Sequence, residues 1–370
     1  LSFNGRMEDA PREPDSVKWL DDDRFIIANE GDWKGGARGF TIFSKAGEVL
    51  YESGASFEHE VANLGHYPEH RNKKGVEPEG LGTGVFGEDK LIFLGSERSS
   101  VVGVYKDTGT KPQLLQMLPS GIGPEGLIAI PSRNLFVTAN ETDLVEDGGA
   151  RSHVMIYERS ESPATYPTIT AKLTTEGVPL GWGALGALAA GERPGQLFAA
   201  SDSVYSAQPA IFSIDATQTP AVITAKTVIT RNGDPAQKMD IEGITTDGGG
   251  GFWIANEGDA AKLVPHAIMR VDDKGEIRQE IGLPTELLAG QTRFGMEGIA
   301  TVREGDDLML VMAMQREWGD DPKGFVKLLA YKPNDKQWSA MRYPLETPEK
   351  GWIGLSEITA HDGKLYVDRK

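Results

Sequence analysis

The chain has 370 residues and a formal net charge of −17, with 55 acidic against 38 basic side chains. This excess of negative charge excludes a protein that holds DNA or RNA by neutralising phosphates, and it disfavours binding to an anionic membrane surface. The sequence contains no cysteine, which excludes disulfides, thiolate metal sites and cysteine nucleophiles. No run of 18 apolar residues occurs, so the sequence predicts no membrane span.

A short phrase, Glu-Gly followed by Leu or Ile, recurs along the chain. Its full copies begin at Glu79, Glu125, Glu242 and Glu297, and a weaker copy, Ser356-Glu357-Ile358, lies near the end. A further copy at 183–188 (GALGAL) keeps the apolar pattern and lacks the acid. Recurrence at roughly 46–60 residues indicates a repeat architecture.

A second acid follows most copies of the phrase. An apolar strand ends in a small residue or Asn and then in an acid, and these acids are Glu30, Glu97, Glu141, Asp202 and Glu257. Two further strands separated by a polar or Gly-containing turn complete most units. This pattern is typical of four-stranded antiparallel sheets.

The repeat predicts an all-β fold, a β-propeller of about seven four-stranded blades forming one domain over 1–370. The partial last unit begins near Trp352, and strands from both termini could together close the ring. No segment with helical periodicity of useful length is expected, apart from one turn at 284–290 (PTELLAG).

This topology predicts where the acids meet. The start of a first strand and the end of its antiparallel partner lie at the same end of a hairpin, and the first strand of a blade is innermost. Both acids of each blade should therefore crowd one mouth of the central channel. So many carboxylates cannot all be ionised there without a compensating charge.

Calcium is the cofactor that this pattern favours, because Ca²⁺ takes six to eight oxygen ligands. The neighbouring Asn29, Asn140 and Asn256 would add neutral oxygens. The predicted metal ligands are Glu30, Glu79, Glu125, Glu141, Glu242, Glu257, Glu297 and Glu357. A glutamate before Gly at a strand start also suits a purely structural role, in which it braces the next blade.

Four residues are predicted to act in catalysis. An uncoordinated glutamate, with Glu125 and Glu242 as the candidates, would be the general base. Arg98 and Arg316 follow second-strand ends and would hold an anionic substrate or stabilise developing charge.

Several runs of the sequence resemble two bacterial families. HRNKKGVEPEGL at 70–81, IFLGSER at 92–98 and GPEGL at 123–127 resemble choice-of-anchor propeller proteins. DIEGITTDGGGGFWIANEGD at 240–259, GMEGIAT at 295–301 and GLSEITAHDGKLYVDRK at 354–370 resemble the "esterase-like activity of phytase" family. The resemblance implies a secreted or periplasmic phytase-like or phosphodiesterase-like hydrolase whose acidic residues are catalytic.

The leading hypothesis is therefore a secreted or periplasmic, calcium-dependent phosphoester hydrolase with a small anionic substrate. The start at Leu1-Ser2-Phe3 favours export, because it predicts that a leader has been removed. Two alternatives stay open. One is a calcium-dependent lactonase or esterase, and the other is a non-catalytic, calcium-stabilised binding or scaffold propeller.

Overall fold

The computed structural model describes residues 3, 5, 7–68, 74–205, 207–305 and 307–369. This part of the chain is almost entirely β-structure and divides into two compact units, Leu1–Gly183 (unit 1) and Ala184–Lys370 (unit 2). The all-β prediction is confirmed.

Unit 1 contains three antiparallel sheets whose strands pair in chain order. Sheet 1 comprises β1 (Pro14–Trp19), β2 (Arg24–Asn29), β3 (Gly39–Ser44) and β4 (Val49–Glu52). Sheet 2 comprises β5 (Pro78–Phe86), β6 (Asp89–Ser96), β7 (Val101–Lys106) and β8 (Gln113–Pro119). Sheet 3 comprises β9 (Pro124–Ile130), β10 (Leu135–Asn140) and β11 (His153–Glu158), and a short strand β12 (Ile169–Ala171) follows later in the chain.

Sheet 3 differs from the predicted four-stranded unit, because its strands end at β11. The segment after β11 contains Pro163 and Pro167. Proline has no backbone N–H to donate to a ladder, so this segment is unsuited to a fourth strand.

Unit 2 contains three further sheets and a terminal hairpin. Sheet 4 includes β13 (Leu185–Ala190), β14 (Gln196–Ser201), β15 (Ala210–Asp215) and β16 (Ala221–Val228), and a small hairpin of β17 (Thr230–Arg231) and β18 (Asp234–Pro235) follows it. Sheet 5 comprises β19 (Ile241–Thr246), β20 (Phe252–Asn256), β21 (Ala267–Val271) and β22 (Ile277–Gly282). Sheet 6 comprises β23 (Met296–Glu304), β24 (Asp307–Met314), β25 (Phe325–Lys332) and β26 (Gln337–Pro344), and sheet 7 is the hairpin of β27 (Leu355–His361) and β28 (Lys364–Arg369).

One α-helix, α1 (Ser56–Asn63), was not predicted. Phe57 and Val61 lie on its inner face and are fully buried in the core that sheets 1 and 2 form. Eight residues are too few to show a clear 3.6-residue period beside charged neighbours, so packing rather than local sequence explains this helix. The predicted turn at 284–290 is present, with Leu288 N donating to the Pro284 carbonyl over 3.2 Å.

The remaining helical elements are short 3₁₀ turns in the loops. They are Trp33–Gly35, Pro131–Arg133, Val145–Asp147, Ser203–Tyr205 and Ala260–Lys262. None of the helices in the described ranges combines the length and apolar character that a bilayer span requires.

Within each unit, the first strands of successive sheets lie side by side. In unit 1 they are β1, β5 and β9, and in unit 2 they are β13, β19, β23 and β27. The apolar cores lie between neighbouring sheets, for example between sheets 4 and 5 and between sheets 5, 6 and 7. This arrangement brings corresponding ends of the first strands together within each unit.

Close contact between first strands explains the glycine of the Glu-Gly phrase. A Cβ on Gly243 would lie 2.8 Å from the Gly298 carbonyl carbon and 2.8 Å from Ile299 N. Both atoms are backbone in the next sheet, so they cannot move aside without shifting the strand.

We therefore expect Gly243→Ala to destabilise unit 2 by about 1–3 kcal/mol, the usual cost of overpacking a core. Gly282→Ala is the matched control, because Gly282 lies in β22 and a Cβ added there would have no neighbouring atom within 4 Å. Urea unfolding followed by tryptophan fluorescence measures both variants. Equal stability of the two variants would contradict the proposed reason for this glycine.

Candidate functional site

The Glu of each Glu-Gly phrase lies in a β-bulge. In sheet 3, Pro124 pairs with Asn140 and Gly126 with Ala139, so Glu125 is the extra residue. Glu242 and Glu297 are the extra residues in sheets 5 and 6 by the same register shift. A bulge commonly re-aims a side chain at the edge of a sheet.

A recurrent backbone hydrogen bond brings the second acid of each sheet to the same end. Glu97 N donates to the Glu77 carbonyl over 3.0 Å, and Glu141 N donates to the Gly123 carbonyl over 2.9 Å. In unit 2, Glu257 N donates to the Asp240 carbonyl over 2.7 Å. In each pair the acceptor lies two residues before the first acid, so the two acids of a sheet sit at one end of its first hairpin.

This hydrogen bond also identifies the corresponding positions in sheets that lack the phrase. Glu30 N donates to the Glu13 carbonyl over 3.1 Å, which gives Asp15 the first-acid position of sheet 1. Asp202 N donates to the Ala184 carbonyl over 2.8 Å, which gives Gly186 that position in sheet 4. Asp15 was missed, although Pro14-Asp15 matches the dipeptides Pro78-Glu79 and Pro124-Glu125.

The last sheet departs from the predicted alignment by one residue. Leu355 pairs with Arg369 and Glu357 with Asp368, so Ser356 is the bulge residue and Glu357 takes the place of the glycine. Glu357 Oε1 accepts a hydrogen bond from Ile358 N over 2.8 Å. Burial raises the pKa of Glu357 to about 7, and the nearby Glu297 adds to this shift.

In unit 1, Glu77, Glu79 and Glu97 form a buried cluster whose ligand atoms lie within 4.8 Å of one another. Burial raises the pKa of Glu79 to about 9, and its hydrogen bond to Glu97 adds to this shift. Burial also raises the pKa of Glu97. Two basic side chains offset the charge, since Arg98 pairs with Glu77 and Glu97, and Lys74 Nζ lies 3.2 Å from Glu77.

The other predicted ligands of unit 1 lie around this cluster. Glu30 groups with Asp32 and Glu77 within the same 4.8 Å limit, and burial raises the pKa of Glu30. Glu125 and Glu141 form a pair that is exposed to solvent. The hydrogen bond to Glu141 raises the pKa of Glu125.

In unit 2, Asp202, Asp240 and Glu242 form a third cluster within 4.8 Å. Burial raises the pKa of Glu242 to about 9, with Asp202 as the next cause. Burial and Asp202 likewise raise the pKa of Asp240 to about 6. Among the salt bridges of the described residues, none joins a Lys or Arg to these three carboxylates, in contrast to unit 1.

The remaining acids of unit 2 are held by polar partners. Glu297 is buried and accepts a hydrogen bond from Gln315 Nε2. Glu257 Oε1 accepts a hydrogen bond from Gly295 N over 2.8 Å. Asn256, which was predicted to offer an oxygen to a metal, accepts a hydrogen bond at Oδ1 from Asp240 N over 2.8 Å and so braces the strand end.

The guanidinium of Arg316 lies over two aromatic rings. Its guanidinium carbon is 4.7 Å from the Phe294 ring centroid and 4.3 Å from that of Trp352. Arg98 differs from it, because its nitrogens are engaged by the unit 1 carboxylates.

Glu77 and Asp240 were also missed by the repeat, beside Asp15 and Asp32. Both precede a first acid by two positions, in Glu77-Pro78-Glu79 and Asp240-Ile241-Glu242. Residues two apart on a strand point to the same face, so an acid-x-acid pattern at a strand start was the available signal. Three acids from two strand ends then converge where one carboxylate per strand was expected.

The second half of the sequence, including the whole unit 2 cluster, matches a known family. Residues 180–370 match the family model "Esterase-like activity of phytase". The chain belongs to this phytase-like family. In unit 1, residues 33–110 match the choice-of-anchor I domain. Both matches agree with the resemblances seen in the sequence, and no curated protein matches the phytase-like chain.

Solved structures similar to the phytase-like chain share little sequence with it. Hydrazine synthase from Kuenenia stuttgartiensis is 14% identical, with 100% of this chain and 99% of that one covered and a TM-score of 0.32. The WD40 repeats of RRP9 are 10% identical, with 96% and 85% covered and a TM-score of 0.28. A putative TolB from Agrobacterium tumefaciens is 10% identical, with 78% and 89% covered and a TM-score of 0.29. Likeness at this level adds nothing to the account of the site.

Proposed function

We propose that this phytase-like protein is a calcium-dependent phosphoester hydrolase whose cation site is Asp202, Asp240 and Glu242. The observation that carries the proposal is the convergence of these three carboxylates within 4.8 Å, inside the segment that matches the family. Unit 1 has carboxylate clusters too, but Lys74 and Arg98 already offset much of their charge. The cation is therefore assigned to unit 2.

The residues of this cluster fit a hard cation. Carboxylate oxygens are the ligands that Ca²⁺ prefers, and a calcium site also takes backbone oxygens and waters. Burial, and after it the charge of Asp202, raises the pKa of Glu242, so the ionised form of this carboxyl is unfavourable without a cation. When bound, calcium supplies positive charge that offsets this repulsion and attracts the oxygens of a phosphate ester.

Glu297 is the proposed general base. It lies outside the three-carboxylate cluster and is close enough to Glu242 to raise the pKa of that residue. The hydrogen bond from Gln315 fixes one of its oxygens. Glu297 would accept a proton from the water that attacks phosphorus. The P–O bond to the ester oxygen breaks as the new P–O bond forms, and that oxygen leaves with the bonding electron pair and takes a proton from solvent.

The predicted roles of the unit 1 residues stay predictions. Glu125 and Glu141 form an exposed pair, and Arg98 is a counter-ion to Glu77 and Glu97.

We also infer that the seven sheets are blades of one propeller, supported by the recurrent bulge and by the side-by-side first strands within each unit. A cell-surface or extracellular location is supported by the choice-of-anchor match.

Glu242→Gln and Glu297→Gln separate cation binding from proton transfer. We expect Glu242→Gln to lose the calcium-induced rise in melting temperature and its hydrolysis of p-nitrophenyl phosphate. Glu297→Gln should keep the calcium-induced rise and lose roughly 100- to 10,000-fold in turnover, the usual contribution of a general base. Elemental analysis, thermal melts with and without EDTA, and phosphate-ester assays provide the measurements.

Glu286→Gln is the matched control, because Glu286 is exposed in the 284–290 turn. Calcium stabilisation without turnover of any phosphate ester in the wild-type protein would overturn the hydrolase and favour a binding propeller. Turnover of lactones alone would favour the lactonase alternative. Absence of bound calcium would overturn the metal assignment.

A further inference from the structure

Arg316 is held in an unusual environment for a protein of this charge. The rings of Phe294 and Trp352 lie within cation–π distance of its guanidinium group. No residue of the described part accepts a hydrogen bond from the Arg316 side chain or pairs with its charge at 4.0 Å or less. Its in-plane N–H donors are therefore available to a ligand, in a chain whose net charge is −17.

The stack around Arg316 is fixed by the surrounding structure. Trp318 Nε1 donates to the Phe294 carbonyl over 2.8 Å, and Trp318 itself is 3% exposed. Lys327 Nζ lies 5.0 Å from the centroid of the Trp318 ring. Lys327 forms a buried ion pair with Asp321 and a second ion pair with the partly exposed Asp320. Phe294 and Arg316 are thus attached to the core of unit 2 at positions flanking the first and second strands of sheet 6.

A second guanidinium reinforces the positive charge here. The Arg293 guanidinium carbon lies 4.9 Å from the Phe294 ring centroid, and Arg293 is exposed. Trp352 is 47% exposed, so the stack is accessible from solvent. Arg316 also directly follows Gln315, whose side chain contacts Glu297.

We propose that Arg316, held against the rings of Phe294 and Trp352, is an oxyanion-binding site that takes a phosphate group. A planar guanidinium presents paired N–H donors that match two oxygens of a phosphate, and stacking on aromatic faces fixes the plane in which they point. The second charge of a phosphate dianion favours phosphate over a carboxylate at a site with two arginines. This inference deepens the proposed function. It rests on that function only in taking the bound phosphate group to be part of the substrate or the product.

Phosphate titration in EDTA tests this site without a cation. Isothermal titration calorimetry with inorganic phosphate should show binding to the wild-type protein, and Arg316→Gln should weaken it roughly 10- to 100-fold, the value of a charged hydrogen-bond pair. Arg316→Lys keeps the positive charge but loses the paired N–H donors of the guanidinium, so an intermediate phosphate affinity is expected. Trp352→Leu should also weaken phosphate binding, because it removes one of the two rings that hold the guanidinium in place.

Arg278→Gln is the control, because it removes the same charge from an exposed ion pair with Asp272 in the same unit. Equal phosphate affinity in Arg316→Gln and Arg278→Gln would overturn the site, provided that both variants melt as the wild type does. Acetate that binds as tightly as phosphate would overturn the phosphate assignment. Phosphate binding at Arg316 with no hydrolysis of any ester would leave this site standing and overturn the proposed function.

Discussion

Lys327→Met is expected to destabilise unit 2 by about 1–3 kcal/mol, because it removes one of the two cationic partners of the buried Asp321 carboxylate. The Lys327 side chain is 1% exposed, and its Nζ lies 2.6 Å from Asp320 and 2.8 Å from Asp321. Asp321 is equally buried and also accepts a hydrogen bond from Trp318 N over 2.8 Å. Arg342 remains as a second partner of Asp321, at 2.9 Å, and limits the loss.

The urea midpoint of unfolding measures this effect, with Arg278→Met as the control. Arg278 pairs with Asp272 at the surface, and an exposed pair contributes at most about 1 kcal/mol. Adding Asp321→Asn to Lys327→Met should recover part of the stability, since it removes the buried carboxylate that has lost one of its two counter-ions. A Lys327→Met protein as stable as the control would show that the buried pair contributes no net stability.

In EDTA, the melting temperature is expected to fall by about 5–10 °C between pH 6.5 and pH 9.5. Glu79 and Glu242 have folded-state pKa values raised to about 9, well above the ordinary value of 4.5. A raised folded-state pKa means that the contribution to stability is complete below pH 4.5 and is lost as the pH rises through about 9. Burial also lowers the pKa of His266. A lowered pKa makes His266 destabilise the fold only below about pH 6.5, where the unfolded chain binds a proton at this residue, so His266 has no effect in this range.

Saturating calcium should remove much of this pH dependence, because the cation stabilises the ionised form of Glu242. Glu242→Gln in EDTA should melt higher than the wild type at pH 9.5 and should not respond to calcium. Differential scanning calorimetry across the pH series gives both results. A melting temperature in EDTA that is constant or rises over this range would contradict the burial of these carboxylates.

The Arg316 site and the carboxylate cluster would act at one strand end of unit 2. Phe294 precedes β23 and Arg316 follows β24, while Glu297 lies at the start of β23. A cation on Asp202, Asp240 and Glu242 and a guanidinium at Arg316 would give a phosphate ester two separate positive contacts. The two are tested independently, one by calcium and the other by phosphate in EDTA.

Local sequence was enough to predict the β-structure and the acids at the strand starts. Alternating apolar residues, turn glycines and a repeated Glu-Gly-(Leu/Ile) phrase are short-range signals, and the β-structure depends on them directly. Sequence also placed Glu79, Glu125, Glu242 and Glu297 at strand starts, because the phrase itself contains the bulge. The buried helix α1 had no such signal, since Phe57 and Val61 become a core face only when sheets 1 and 2 lie beneath them.

Only the tertiary structure decided which acids meet and which are compensated. A bulge adds one residue to a strand, so its exact position decides which side chain is the extra one. In the last sheet the bulge is at Ser356, and Glu357 therefore does not take the first-acid position. Asp202 meets Asp240 and Glu242 because the end of β14 packs against the start of β19. Arg316 meets Phe294 and Trp352 through three separate loops. The sequence by itself determined which carboxyl groups lie at the strand ends. Long-range packing decided which of these carboxyl groups meet, because the distances between strand ends depend on register and on how neighbouring sheets pack.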